Sequence, residues 1–185
     1  MSVGMPFPGV LAAAQAGASW ALEVLYRELA PSVTGYLRLH GALEPDDLAS
    51  ETFIGVFNGL SSFEGDEAAL RAWVFTIAHR RLIDDWRRRS RRPELVDCGE
   101  EVLRGSVGGD AEDDALAVLG SGAVQEMCAA LPADQRTVLL LRILADLSVE
   151  QVASVMGRSA AAVKALQRRG LVTLRSELVQ EVAPL

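Results

Sequence analysis

Apolar side chains along this 185-residue chain recur every three or four positions, not every second one. Trp20, Val24, Leu25 and Leu29 share one helical face, and Leu48, Phe53, Val56, Phe57 and Leu60 share another. A longer run from Leu70 to Arg92 follows. Pro45 ahead of Asp46 and Asp47 suits a helix start, because proline has no amide to leave unpaired and the two acids complement the helix dipole. Between Gly59 and Gly65, Ser61, Ser62 and Phe63 interrupt the period and predict a loop. No alternating stretch is long enough for a strand, so an all-α chain is predicted.

The same period returns near the C-terminus with stronger punctuation. Leu131-Pro132 opens an apolar helix, Val138 to Leu144, that has to be buried. Ser148 with Gln151 forms a capping box for a short helix whose Val149, Val152, Ala153 and Met156 share one face. Gly157 ends it and Ser159 can cap the next helix, which makes a helix-turn-helix. On its second helix Val163, Leu166, Gly170 and Leu174 form the packing arc, while Ala161, Lys164, Ala165 and Arg168 form the other. Small residues near the helix start followed by cations suit entry into a major groove with phosphate contacts at its edges.

The Leu70 to Arg92 run carries apolar residues on two sides. Phe75, Ala78, Leu82 and Trp86 make one arc, and Trp73, Ile77, Arg80, Asp84 and Arg91 lie nearly opposite. Trp73 and Ile77 are expected in the core; Trp86 and the arginines around it are the candidate binders. From His79 to Arg92 seven arginines face only Asp84 and Asp85. That density of cations holds phosphates, and aromatic rings beside it stack on exposed bases, so single-stranded nucleic acid is the indicated partner.

Charge divides the chain into three. Residues 1–92 carry a net −1, residues 93–120 a net −7 and residues 121–185 a net +1, although the whole chain is −7. The middle segment is rich in glycine and acid with little apolar period, which predicts a flexible linker between two helical lobes. A third patch comes from Asp47 and Glu51, one helical turn apart, with Phe53 offset beside them, a surface suited to a basic partner helix.

Several classes are excluded. Cys98 and Cys128 have neither CxxC spacing nor histidine neighbours, so no disulfide framework, metal site or cofactor is expected. His40 and His79 stand in unrelated sequence contexts without a nucleophile or phosphate loop, so neither enzymatic chemistry nor a small-molecule substrate is expected. Met1 to Gln15 lacks the basic start of a signal peptide and no stretch suits membrane insertion, which predicts a cytoplasmic protein.

Five separated strings, in order, resemble those of extracytoplasmic-function sigma factors. They are Glu44-Pro-Asp-Asp-Leu-Ala-Ser-Glu-Thr-Phe53, Phe63-Glu-Gly-Asp66 with Leu70-Arg-Ala-Trp73, Ile77-Ala-His-Arg-Arg-Leu-Ile-Asp84, Leu131-Pro-Ala-Asp-Gln-Arg136 and Val163-Lys-Ala-Leu-Gln-Arg-Arg169. The resemblance implies that residues 1–92 are sigma region 2, a helical bundle that docks on bacterial core RNA polymerase and opens promoter DNA at the minus-10 element. It implies that residues 121–185 are sigma region 4, a helix-turn-helix reading the minus-35 element.

Residue by residue, Asp47, Glu51 and Phe53 fall where the family contacts the polymerase clamp. Ser62, Phe63 and Asp66 fall in the loop that holds a flipped base. Arg80, Arg81, Trp86, Arg87 and Arg88 would track the separating strands, and Ser159, Ala161, Lys164, Ala165 and Arg168 would meet the minus-35 duplex. The acidic linker would lie in a basic polymerase channel, and the family implies an anti-sigma factor as a further partner. Ser50 stands where many members have Gln, and Arg80 where many have Asn.

Two other readings compete. A stand-alone helix-turn-helix regulator would bind closed half-sites as a dimer. A sigma mimic titrating an anti-sigma factor would keep the partner surface and lose promoter activity.

Overall fold

The computed structural model describes residues 6–91 and 122–182. Arg92, the linker at 93–120 and Cys98 lie outside the described residues. Among those described there is no strand. The first lobe runs α1 (Phe7–Gln15), α2 (Ser19–Leu39), α3 (Pro45–Gly59), a 3-10 turn (Leu60–Ser62) and α4 (Glu67–Arg91); the second runs α5 (Gly122–Ala129), α6 (Ala133–Ile143), α7 (Val149–Met156) and α8 (Ala160–Val182).

In the first lobe α2, α3 and α4 pack on one another, with α1 laid across α2. Leu25, Leu29, Val33, Leu48, Val56, Leu70, Val74, Phe75 and Leu82 fill the centre. Helix α4 begins at Glu67, three residues before the apolar run, because the Asp66 carboxylate accepts the Ala69 amide at 2.8 Å and caps it. Helices α1 and α5 have no counterpart in the sequence pattern: each is short, and only Val10, Ala14 and Cys128 on them are buried.

The second lobe follows its punctuation closely. The Ser148 hydroxyl accepts the Gln151 amide and the Gln151 side chain accepts the Ser148 amide. Gly157 closes α7 in the left-handed conformation at φ 63°, and Ser159 caps α8 by accepting the Ala162 amide. Val163 and Leu166 of α8 are buried, and Gly170 packs beneath Leu139 of α6.

The two lobes are docked. Helix α7 lies against α4 and α5 against α2, and the apolar core runs continuously from one lobe into the other. The Gln151 side chain, besides capping α7, donates to the Ala68 carbonyl of α4 at 3.1 Å. Thr137 of α6 lies near enough to the Tyr36 phenol of α2 to act on its ionisation. The sequence pattern predicted two tethered lobes without this seam. It is built from contacts between residues far apart in the chain, which no local period reports.

Candidate nucleic-acid interface

Between α3 and α4 the chain makes a tight corner that displays polar groups over an aromatic floor. The Ser62 hydroxyl donates to the Gly59 carbonyl at 3.0 Å, and Ser61, Ser62, Glu64 and Asp66 are exposed. Phe63 folds inward and stacks on Trp73, ring centroids 5.3 Å apart and planes 22° apart. The corner has no room for a side chain at Gly65, where a Cβ would come within 2.8 Å of the Ala69 Cβ. Of the predicted loop residues, Ser62 is displayed, Phe63 is half-buried, and Asp66 serves as a helix cap while still reaching solvent.

The arginines of α4 divide into tied and free. Arg81 pairs with Glu51 of α3 at 3.2 Å, Arg87 with Asp84 at 3.4 Å and Arg88 with Asp85 at 3.7 Å. Arg80 and Arg91 are exposed and form no ion pair among the described residues. Exposed pairs such as Arg87–Asp84 are worth well under ~1 kcal/mol, so a phosphate can take the guanidinium over at little cost. Trp73, Arg80 and Arg87, spaced seven residues apart, share one face of α4.

Trp86 is placed differently from its sequence expectation. It is half-buried with its ring edge against His40, centroids 5.9 Å apart, close to the lobe seam. The arc it shares with Phe75, Ala78 and Leu82 is core, so one side of Trp86 packs while part of the ring stays exposed.

Phe53 needs a similar correction. It is 2% exposed, with its ring edge on Tyr26 at 4.8 Å. The aromatic at the surface there is Tyr26, 42% exposed, with Ile54 further along α3 at 61%. Asp47 is exposed, whereas Glu51 is half-buried and held by Arg81. Tyr26 was missed because one turn of pattern cannot tell which of two touching rings lies on top.

In the second lobe Ala161, Lys164, Ala165 and Arg168 all lie exposed along α8, as the helical projection predicts. Ser159 is exposed but its hydroxyl is engaged as the cap. Arg168 is joined by Arg169, and the two line a shallow groove with Gln135, Val172 and Thr173. Arg158, at the turn, pairs with Asp134 at 2.8 Å.

His40 and His79, unrelated in sequence, both come against Tyr36 near the seam. Ring centroids lie 4.6 Å from Tyr36 to His40 and 6.3 Å from Tyr36 to His79. Burial pushes His40 down to about 3, with Arg136 and His79 adding to the effect. Burial also lowers His79, against a pull upward from Asp134. The Tyr36 phenol is raised by burial and keeps its proton. Cys128 is buried and its thiol is raised, so it is a poor nucleophile. Among the described residues no cluster of ligands could hold a metal, and no helix is long and apolar enough to cross a membrane.

A corner that displays polar groups beside free arginines on one lobe, and a cation-edged helix-turn-helix on the other, define a nucleic-acid-binding protein of the sigma-70 type. Residues 25–92 match the Sigma-70 region 2 family model and residues 121–174 the Sigma-70, region 4 model. The chain is 34% identical to the ECF RNA polymerase sigma factor BldN of Streptomyces coelicolor, over 87% of this chain; it spans 61% of BldN's length. It is 32% identical to the ECF RNA polymerase sigma factor SigX of Bacillus subtilis, over 75% of this chain and 73% of SigX. The solved structure of CnrH in complex with the cytosolic domain of CnrY shares the fold, with a TM-score of 0.63 and 22% identity over 94% of this chain and 97% of CnrH. The chain belongs to the extracytoplasmic-function sigma factors of RNA polymerase.

Proposed function

We propose that this chain is an alternative sigma factor that joins bacterial core RNA polymerase, selects promoters and opens them for transcription initiation. It acts in the cytoplasm as a specificity subunit without enzymatic chemistry of its own. Residues 1–92 dock on the polymerase through Asp47, Glu51 and the Tyr26 surface, and melt the minus-10 element with the Ser62–Phe63 corner and the arginines of α4. Residues 121–185 read the minus-35 duplex with Lys164 and Arg168, while residues 93–120 thread a basic channel of the polymerase. An anti-sigma factor is its regulatory partner.

The observation that carries the reading is that one chain holds two separate cationic surfaces of different kind. The α4 face, with its exposed corner, suits a strand whose bases are unpaired. The α8 face, with small residues between its cations, suits an intact groove. A duplex-only regulator has no use for the first surface, and a mimic has no use for either.

Footprinting tests it. The free chain should leave promoter fragments unprotected, while its complex with core polymerase should protect both elements. Protection of a symmetric duplex site by the free chain would favour a stand-alone regulator instead.

A further inference from the structure

Helix α1 precedes the segment matched to sigma region 2, which begins at residue 25. Its last residue, Gln15, nevertheless reaches the promoter-opening corner. The Gln15 Nε2 donates to the Leu60 carbonyl at 3.1 Å and to the Phe63 carbonyl at 2.8 Å, 45 and 48 residues away. Those two carbonyls bracket the 3-10 turn, so one amide closes the base of the corner like a clasp.

The clasp has an anchored root. Val10 and Ala14 of α1 are buried in the lobe, and Phe7 packs beside Leu25 and Leu70. The Gln15 side chain is half-buried, where hydrogen bonds to carbonyls meet less competition from water. The rest of the corner is held from the other side, by Phe63 stacked on Trp73 and by the Asp66 cap on α4. The turn also closes on itself, the Phe63 amide donating to the Leu60 carbonyl at 3.1 Å, and is rooted in α3 by the buried Leu60 side chain; Gln15 adds the tie to α1 that joins both of its ends.

We propose that Gln15 is a positioning residue for promoter opening: by gripping the Leu60 and Phe63 carbonyls, it holds the corner in the shape that receives an unstacked base of the non-template strand. This rests on the sigma-factor reading of the corner. A preorganised pocket captures a flipped base without first ordering its own backbone, so the exchange of stacking for pocket contacts becomes more favourable. Gln15 touches no base itself. Its effect is transmitted through two backbone oxygens.

The test compares the wild type with Gln15→Met, which keeps length and loses the donor, and with Gln15→Glu, whose carboxylate faces both carbonyls. Permanganate reactivity of minus-10 thymines is read in the complex of full-length chain and core polymerase, on duplex promoter and on a template already unpaired across the start site. Losing the two bonds should cut opening of duplex promoter about tenfold in both variants, and the defect should shrink on the unpaired template. Core affinity should stay near wild type, and the thermal midpoint should fall by only several degrees, leaving the chain folded at the assay temperature.

Wild-type opening of duplex promoter by either variant overturns the inference and leaves the sigma reading intact. An equal loss on both templates together with weaker core binding also overturns it, since that marks general damage to the lobe. A wild-type chain that opens no promoter with core polymerase sinks the sigma reading itself.

Discussion

Tyr36 Oη lies 2.7 Å from His79 Nδ1, joining α2 to α4 where Thr137 of the second lobe also meets the phenol. His40 also packs against that ring, 3% exposed, and neither of its ring nitrogens finds a hydrogen-bond partner among the described residues. Arg136 and Asp134 of α6, with Trp86 of α4, are the other groups bearing on this cluster.

The cluster makes stability depend on pH. A histidine held below its ordinary value takes a proton more readily in the unfolded chain, so its contribution is whole above about pH 6.5 and is lost as the pH falls towards 3. Burial of His79 acts in the same direction, moderated by Asp134. Between pH 7.5 and pH 5, urea unfolding should show a loss of about 2 kcal/mol from His40. The variant His40→Leu should flatten that slope, and an unchanged slope would remove His40 from the account.

Gln151 couples a helix cap to the lobe seam through its two side-chain atoms. Gln151→Ala should therefore cost about 1–2 kcal/mol, more than a cap in an isolated helix. Hydrogen exchange should report faster opening both at the start of α7 and at the Ala68 turn of α4. Faster exchange confined to α7 would mean that the contact to Ala68 contributes nothing.

Asp47 is exposed in the first turn of α3, so Asp47→Lys should weaken association with core polymerase about tenfold while costing about 1 kcal/mol or less of stability from the lost match to the helix dipole. Glu51→Lys should weaken it as well, and in addition release Arg81 at a cost under ~1 kcal/mol. Surface plasmon resonance on immobilised core measures both, and unchanged affinity would reject the acidic face as the docking surface.

Lys164 and Arg168 lie exposed on α8 and form no ion pair among the described residues. Alanine at each should lower upstream promoter recognition and reduce the dependence of promoter binding on salt by about one phosphate contact per residue. Core affinity should be unaffected. Equal promoter use by the double variant would remove α8 from minus-35 reading.

Local devices were the legible part of this chain. The capping box at Ser148 and Gln151, the left-handed stop at Gly157, the cap at Ser159 and the two arcs of α8 follow from neighbours within a helical turn. The apolar stripes of α2, α3 and α4 were equally clear. What the pattern could not report is which apolar arc meets a second lobe. Trp86 was read as a candidate binder among arginines, and its contact with His40 was not visible in the pattern. Phe53 was read as exposed because acids flank it, yet Tyr26 lies over it. His40 and His79 looked unrelated because only the folded chain brings both against Tyr36. Gln15 gave no signal at all, since its partners are backbone oxygens.

Run-off transcription with purified bacterial core polymerase tests the central claim most directly. Core alone should give no specific transcript from a library of genomic promoter fragments. Core with this chain should give discrete products whose upstream sequences share two spaced elements. Absence of any chain-dependent product, in a preparation that binds core, would contradict the account.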